Sequence, residues 1–141
     1  MPLARQALHD SGEEIHVAAW PGVPEMHQVA SRHYAFEGRC FVIAVGCLLR
    51  VRDLPPELPA RPEKAGDPEA LLYNGGSAVI APNGRYLAGP VYDEESVVVA
   101  DCDLSEITRE ALTLDVSGHY SRPDVFRFAV RRERTDALRD V

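Results

Sequence analysis

Residues Asn74–Pro90 read NGGSAVIAPNGRYLAGP, and the fold turns on how this stretch is read. Ser77–Ala81 is a short apolar run. Pro82-Asn83-Gly84 interrupts it, and Tyr86 and Leu87 resume it before Gly89-Pro90. An Asn-Gly pair between two strand-like runs predicts a β-hairpin, because both residues tolerate positive φ. Such a hairpin needs sheet partners, and the apolar segments before and after it can supply them.

Upstream, Pro2 suits the first turn of a helix. Leu3, Ala4, Ala7 and Leu8 form an amphipathic stripe, and Gly12 is its stop. Ile15–Trp20 alternates Ile15, Val17 and Ala19 with His16, Ala18 and Trp20, which predicts a strand ended by Pro21-Gly22. A second helix is predicted from Pro24 to Gly38, with Met26, Val29, Ala30, His33, Tyr34 and Phe36 as a wide apolar face. Cys40–Gly46 is apolar on both alternations, as in a strand covered on both faces. Strand, helix, strand is a β-α-β pattern, so the fold class is mixed α/β.

Asp53–Glu69 carries Pro55, Pro56, Pro59, Pro62 and Pro68 and reads as an exposed excursion within one domain, residues 1–141. Beyond the hairpin, Ser96–Cys102 (SVVVADC) reads as a third strand. Asp103 with Glu106 makes a D-x-x-E capping pattern that opens a short helix through Ile107, Ala111 and Leu114. Val125–Val130 (VFRFAV) reads as a last strand, and Arg131–Val141 as a frayed, charged end.

The chain has 141 residues, 45% hydrophobic and 26% charged, with net charge −7. This is globular composition, and the acidic balance argues against a nucleic-acid or anionic-membrane partner. Arg131, Arg132 and Arg134 are too small a cluster to change that. Cys40, Cys47 and Cys102 are odd in number and form no C-x-x-C pair, which points to a reducing, cytoplasmic setting. The opening MPLARQALHDSG is too polar for a signal-peptide core. No apolar run approaches the roughly 18 residues of a membrane-spanning helix.

Five blocks carry a family resemblance: MPLARQAL, GEEIHVAAWPG, HYAFEGRCFVIAVG, the hairpin itself, and GHYSRPDVF at Gly118–Phe126. In this order and spacing they resemble the second half of a nitrilase, one of the carbon–nitrogen hydrolases. The resemblance implies half of a four-layer α-β-β-α sandwich, with the inner sheet face left for the other half to cover. It implies hydrolysis of a nitrile, or an amide, to acid and ammonia. The family does this with a Glu–Lys–Cys triad whose cysteine lies in Cys-Trp-Glu at a strand-to-helix elbow. In the family, Met-Pro-Leu follows just after that nucleophile. The triad is therefore expected upstream of Met1, none of its members carries over to this chain, and the chain alone is expected to be inactive. A non-catalytic interaction subunit, pairing with a full-length nitrilase or a separately encoded first half, is the alternative. The first two helices resemble the family's dimer contact, and the Pro-rich excursion its spiral-forming insertion. A homo-oligomer or a complementing N-terminal half is thus the expected partner, and no cofactor is implied.

Two places are expected to reach a substrate pocket. Trp20-Pro21 ends the strand that follows the nucleophile in the family, where Trp20 offers either a rigid apolar wall or simple core packing. His119 stands in a loop that the resemblance puts on the active-site side, where it either touches the pocket or braces the loop. Other polar residues read as structural. Cys47 reads as a small buried residue, as do Cys40 and Cys102; a separate chemistry at Cys47 is the third hypothesis. His33 and Glu37 are spaced i, i+4 and are too few for a metal site. Gly75-Gly76-Ser77 lacks the continuation of a phosphate loop and reads as a strand-entry turn. Arg122 and Asp124 are expected to form a local ion pair.

Overall fold

The computed structural model describes residues 1–58, 64 and 66–131. Its elements, in chain order, are α1 (Pro2–His9), β1 (Ile15–Trp20), α2 (Glu25–Gly38), β2 (Phe41–Gly46), β3 (Leu48–Arg50), a 3-10 turn at Val51–Asp53, β4 (Leu71–Ile80), β5 (Tyr86–Tyr92) and α3 (Ser105–Ala111). The mixed α/β class is as expected.

The hairpin forms where the turn chemistry puts it. Gly84 N–H donates to the Ala81 carbonyl at 2.8 Å, and Ala81 N–H to the Arg85 carbonyl at 2.9 Å. Gly84 takes φ +80°, which glycine adopts without steric cost. The second strand does not stop before Gly89-Pro90, as the reading implied, but runs through them to Tyr92. β1 and β2 are parallel, in register from Ile15↔Phe41 to Trp20↔Gly46. β2 then pairs with the far half of β4 (Ala44↔Ala78) and β3 with its near half (Leu48↔Asn74), both antiparallel. β2 and β3 are thus one ribbon interrupted at Cys47, lying along β4, while β5 also pairs with β4.

Gly75 and Gly76 are not a strand-entry turn; they lie inside β4, at φ +86° and +89°, where its register with β5 shifts. Two further strand readings are corrected. Ser96–Cys102 and Val125–Val130 join no ladder among the described residues, and Val97 and Val99 are 90% and 77% exposed. Alternation marks what a strand would bury, but a strand exists only where a neighbour completes its hydrogen bonds.

The core lies between the sheet and α2. Val23, Tyr34, Ala35, Cys40, Val42, Ala44, Ala78 and Ile80 form it, with Ala18, Trp20 and Tyr86 against its edge. His16, Ala18 and Trp20 are the partly buried side of β1, whereas Ile15, Val17 and Val45 are exposed on the other side of the sheet. That side is the face the half-sandwich expectation left open. The helices correct the reading in a different way. α2 buries Gln28, Ser31, Tyr34 and Ala35, while Met26, Val29 and Phe36 face outward. α1 ends at His9, short of Gly12, and buries His9 while Leu3 and Leu8 are exposed. Pro59 and Pro62 of the excursion lie outside the described residues, as do Arg132 and Arg134 and the charged end beyond Arg131.

Candidate functional site

β1 and β2 run parallel and end side by side at Trp20 and Gly46. Sites in α/β sheets favour such carboxyl edges. There Gly46, Leu48, Gly75, Ser77, Val91 and the run Glu94–Ser96 line a cleft of about 230 Å³.

Backbone contacts fix its floor. Val23 N–H donates to the Gly75 carbonyl (2.9 Å), Gly75 N–H to the Cys47 carbonyl (3.0 Å), and Cys47 N–H to the Pro21 carbonyl (3.1 Å). The loop after β1 is thereby tied to the break in the β2–β3 ribbon. Gly46 has to be glycine, since a Cβ there would stand 2.1 Å from the Gly75 carbonyl oxygen. The Ser77 hydroxyl accepts from Gly46 N–H at 3.0 Å and donates to the Gly46 carbonyl at 3.3 Å. Its donor is committed to backbone, and among the described residues no lysine or histidine lines the cleft, so Ser77 is a brace and not a nucleophile. Behind the floor, buried Gln28 donates through Nε2 to the Gly76 carbonyl (2.6 Å) and accepts from the Tyr86 hydroxyl (3.0 Å).

The residues expected at a pocket do not converge. Pro21 is exposed at the carboxyl edge and holds Cys47 through its carbonyl. Trp20 points to the helix side, donating through Nε1 to the Ser31 hydroxyl at 3.2 Å, with its ring edge-on to His27 at 4.6 Å. His119 is exposed, with Nδ1 4.0 Å from Asp115 Oδ2. The preceding segment is tied down by Arg39, which donates to the Leu114 carbonyl and the Thr113 hydroxyl, and by Ser117, which donates to Asp10. Arg39 stands just before β2 begins, so this anchorage lies at the opposite end of the strands from Trp20 and Pro21. Glu94 and Glu95 are cleft residues that the sequence reading did not single out, and Ser77 entered it only as the end of Gly75-Gly76-Ser77. The glycines on either side of a break between two apolar runs were the available signal.

Residues 1–110 match the carbon-nitrogen hydrolase family. The chain belongs to the carbon–nitrogen hydrolases. It is similar to an arylacetonitrilase of Trametes versicolor, with 39% identity over 93% of this chain and 41% of that protein. It is similar to a bifunctional nitrilase/nitrile hydratase of Lupinus angustifolius, with 40% identity over 98% of this chain and 40% of that protein. An aliphatic nitrilase of Sinorhizobium fredii is 37% identical over 98% of this chain and 44% of its own length. The chain thus spans about two-fifths of the curated relatives it matches. A carbon-nitrogen hydrolase of Helicobacter pylori G27 superposes with TM-score 0.66 at 19% identity, over 89% of this chain and 44% of that one, and shares its fold.

The cysteines of this carbon–nitrogen hydrolase chain differ from one another. Cys40 is fully buried, and burial, then the Glu13 carboxylate, pushes its thiol up to about 12. Cys102 is half-buried and is also raised, by burial and then by Asp101 and Glu106. Cys47 is exposed, not buried as expected, and stands at the break between β2 and β3. It does not line the cleft. Glu37 meets Arg5 and His9, and not His33, which is exposed. Among the described residues no group of three or more His, Cys, Asp or Glu is placed to hold a metal. Arg122 and Asp124 form a two-pronged pair at 2.8 and 2.7 Å. Among the described residues no helix is long and apolar enough to cross a membrane.

Proposed function

We propose that this chain supplies the supporting part of a nitrilase-type site acting on a small nitrile or amide, and that the nucleophile elbow comes from polypeptide outside these residues. The observation that carries the reading is the cleft at the carboxyl edge of β1 and β2, in a chain whose relatives are nitrilases. Nitrile hydrolysis requires a thiolate, a base and a cation acting together. The cysteines here stand in Cys40-Phe41, Cys47-Leu48 and Cys102-Asp103, none of them a Cys-Trp-Glu. In the reaction, a thiolate adds to the nitrile carbon while a proton passes to nitrogen, giving a thioimidate. Water adds, ammonia leaves, and a second water releases the acid and regenerates the thiol. In this reading Pro21 and the cleft form a wall that limits water. Trp20 holds that wall to α2, and His119 braces its own loop.

A second reading, a non-catalytic subunit, is favoured by the exposed Ile15, Val17 and Val45 on the sheet and Met26 and Val29 on α2. A homo-oligomer or a complementing first half would cover such surfaces. The three free cysteines favour a cytoplasmic setting.

The test is ammonia release from aliphatic and aromatic nitriles, by the chain alone and after mixing with a first-half polypeptide carrying Cys-Trp-Glu. The expected result is none alone, then turnover on mixing, with loss of hydrophobic-dye fluorescence as the sheet face is covered. Dye loss without turnover would favour the subunit reading. Turnover by the chain alone that Cys47→Ser abolishes would overturn both.

A further inference from the structure

A buried polar cluster joins α1 to α2, away from the cleft. Its centre is His9, whose side chain is 2% exposed. Its Nδ1 lies 3.4 Å from Glu13 Oε1, and its Nε2 lies 3.5 Å from Glu37 Oε2. Neither nitrogen has a well-aligned hydrogen-bond partner among the described residues. The ring rests on the Gly38 backbone so closely that a Cβ there would stand 2.3 Å from Nδ1.

Each packed element contributes a charged or titratable group. α1 gives Arg5, whose Nε is 2.7 Å from Glu37 Oε2. The α1–β1 loop gives Glu13, and β1 gives His16, whose Nδ1 is 3.0 Å from Glu13 Oε2. α2 gives Glu37 and Tyr34, and the Tyr34 hydroxyl donates to Glu13. Burial, then Glu13, holds that hydroxyl above its ordinary range, so it stays a neutral donor. Cys40, at the end of α2, is a neutral thiol for the same two reasons.

Two carboxylates against one guanidinium leave one negative charge uncompensated. A neutral imidazole has one N–H and one lone pair, so it must turn the lone pair toward one of the two carboxylates. An imidazolium has two N–H donors, one for each. We propose that His9 is a proton-dependent clasp: as imidazolium it bridges Glu13 and Glu37 and holds α1 on α2, and on losing its proton it releases α1. His16 faces one carboxylate through one nitrogen and cannot make this bridge. The exposed stripe of α1, with Leu3 at 69% exposure, would be fixed in place by the imidazolium and loosened with the neutral ring.

The test is amide hydrogen exchange over α1 and the loop after it, corrected for the intrinsic pH dependence. Measurements at about pH 5.5 and about pH 8 bracket the histidine range. The chain itself should lose about fivefold or more of its α1 protection at the higher pH. His9→Gln should abolish that dependence, and His16→Gln should keep it. Should His9→Gln fail to fold, Glu37→Gln carries the test, because it removes the uncompensated charge and should flatten the profile. Nitrogen-resolved NMR of the His9 ring should find both nitrogens protonated at the lower pH. A flat profile in the unmodified chain, or an undiminished one in both His9→Gln and Glu37→Gln, would overturn the proposal.

Discussion

Arg39→Ala is expected to destabilise the fold strongly. Arg39 follows α2 in the left-handed region, φ 51°, and is 4% exposed. Its guanidinium donates to the Leu114 carbonyl at 3.0 Å, the Pro82 carbonyl at 3.1 Å and the Thr113 hydroxyl at 3.0 Å. It also lies 4.2 Å from the Phe36 ring centre and 3.7 Å from Glu110. One side chain thus joins the end of α2, the hairpin turn, α3 and the loop after α3. Hydrogen bonds to a charged group contribute about 1.5–3 kcal/mol each. Three of them set an upper limit, since water can reach the half-buried Leu114 and the exposed Thr113 once the side chain is gone. Breaking a buried charged network from one side costs about 3–5 kcal/mol, a large part of a total stability of about 5–15 kcal/mol. The backbone supplies an internal control. Glycine removes the left-handed strain, about 1–2 kcal/mol, so Arg39→Gly should be less destabilised than Arg39→Ala. Arg39→Lys should fall between Ala and the native chain, because an ammonium keeps the charge but loses the fork. Urea unfolding followed by far-ultraviolet circular dichroism measures all three. A loss under about 1 kcal/mol for Arg39→Ala, or an Arg39→Gly variant no better than Ala, would refute this account.

Two glycines with similar φ should respond differently to alanine. At Gly12 (φ +73°) nothing lies within 4 Å of a new Cβ, and backbone strain alone should cost about 1–2 kcal/mol. At Gly76 (φ +89°) the Cβ would meet the Val23 carbonyl oxygen at 2.7 Å and the Tyr92 ring at 2.8 Å, so Gly76→Ala should lose clearly more; equal thermal shifts would contradict the geometry. Alkylation of the native chain at mildly alkaline pH should label exposed Cys47 first and buried Cys40 only on unfolding, as read by peptide mass spectrometry. Cys40 labelling ahead of Cys47 would show that the core around β2 opens.

The hairpin and the β1–α2–β2 unit were legible because their signals are local. Pro82-Asn83-Gly84 carries its own turn chemistry, and each apolar run is bounded by Gly or Pro. Burial was less legible because it depends on partners. The apolar residues of α2 predicted its inner face, yet the helix turns Gln28 and Ser31 inward, where Gly76 and Trp20 offer them hydrogen bonds. Ser96–Cys102 has strand composition and joins no ladder among the described residues. The short β3 was hidden because its three residues follow Cys47 without a turn residue. The cleft was legible only as glycines beside a break between apolar runs, since it arises where Gly46 meets Gly75 across the sheet.

That meeting explains why α2 buries polar groups on a side that could hold aliphatic ones. A buried amide is tolerable only when its donors and acceptor are satisfied. Gln28 gives Nε2 to the Gly76 carbonyl and takes the Tyr86 hydroxyl on Oε1. The Gly76 carbonyl reaches Nε2 from a stretch of β4 whose register with β5 is shifted, with φ +89° at that residue. The neighbouring Gly75 carbonyl takes the Val23 N–H and presses on Gly46, leaving Ser77 to bond the Gly46 backbone in place of a regular ladder. An apolar residue at position 28 would leave the Gly76 carbonyl without this buried donor. A fully satisfied polar network of this kind sets one geometry where an aliphatic contact would accept several. The amide on α2 therefore positions the cleft from behind, and the apolar residues it displaces from the inner face are the ones exposed on the outside of the helix.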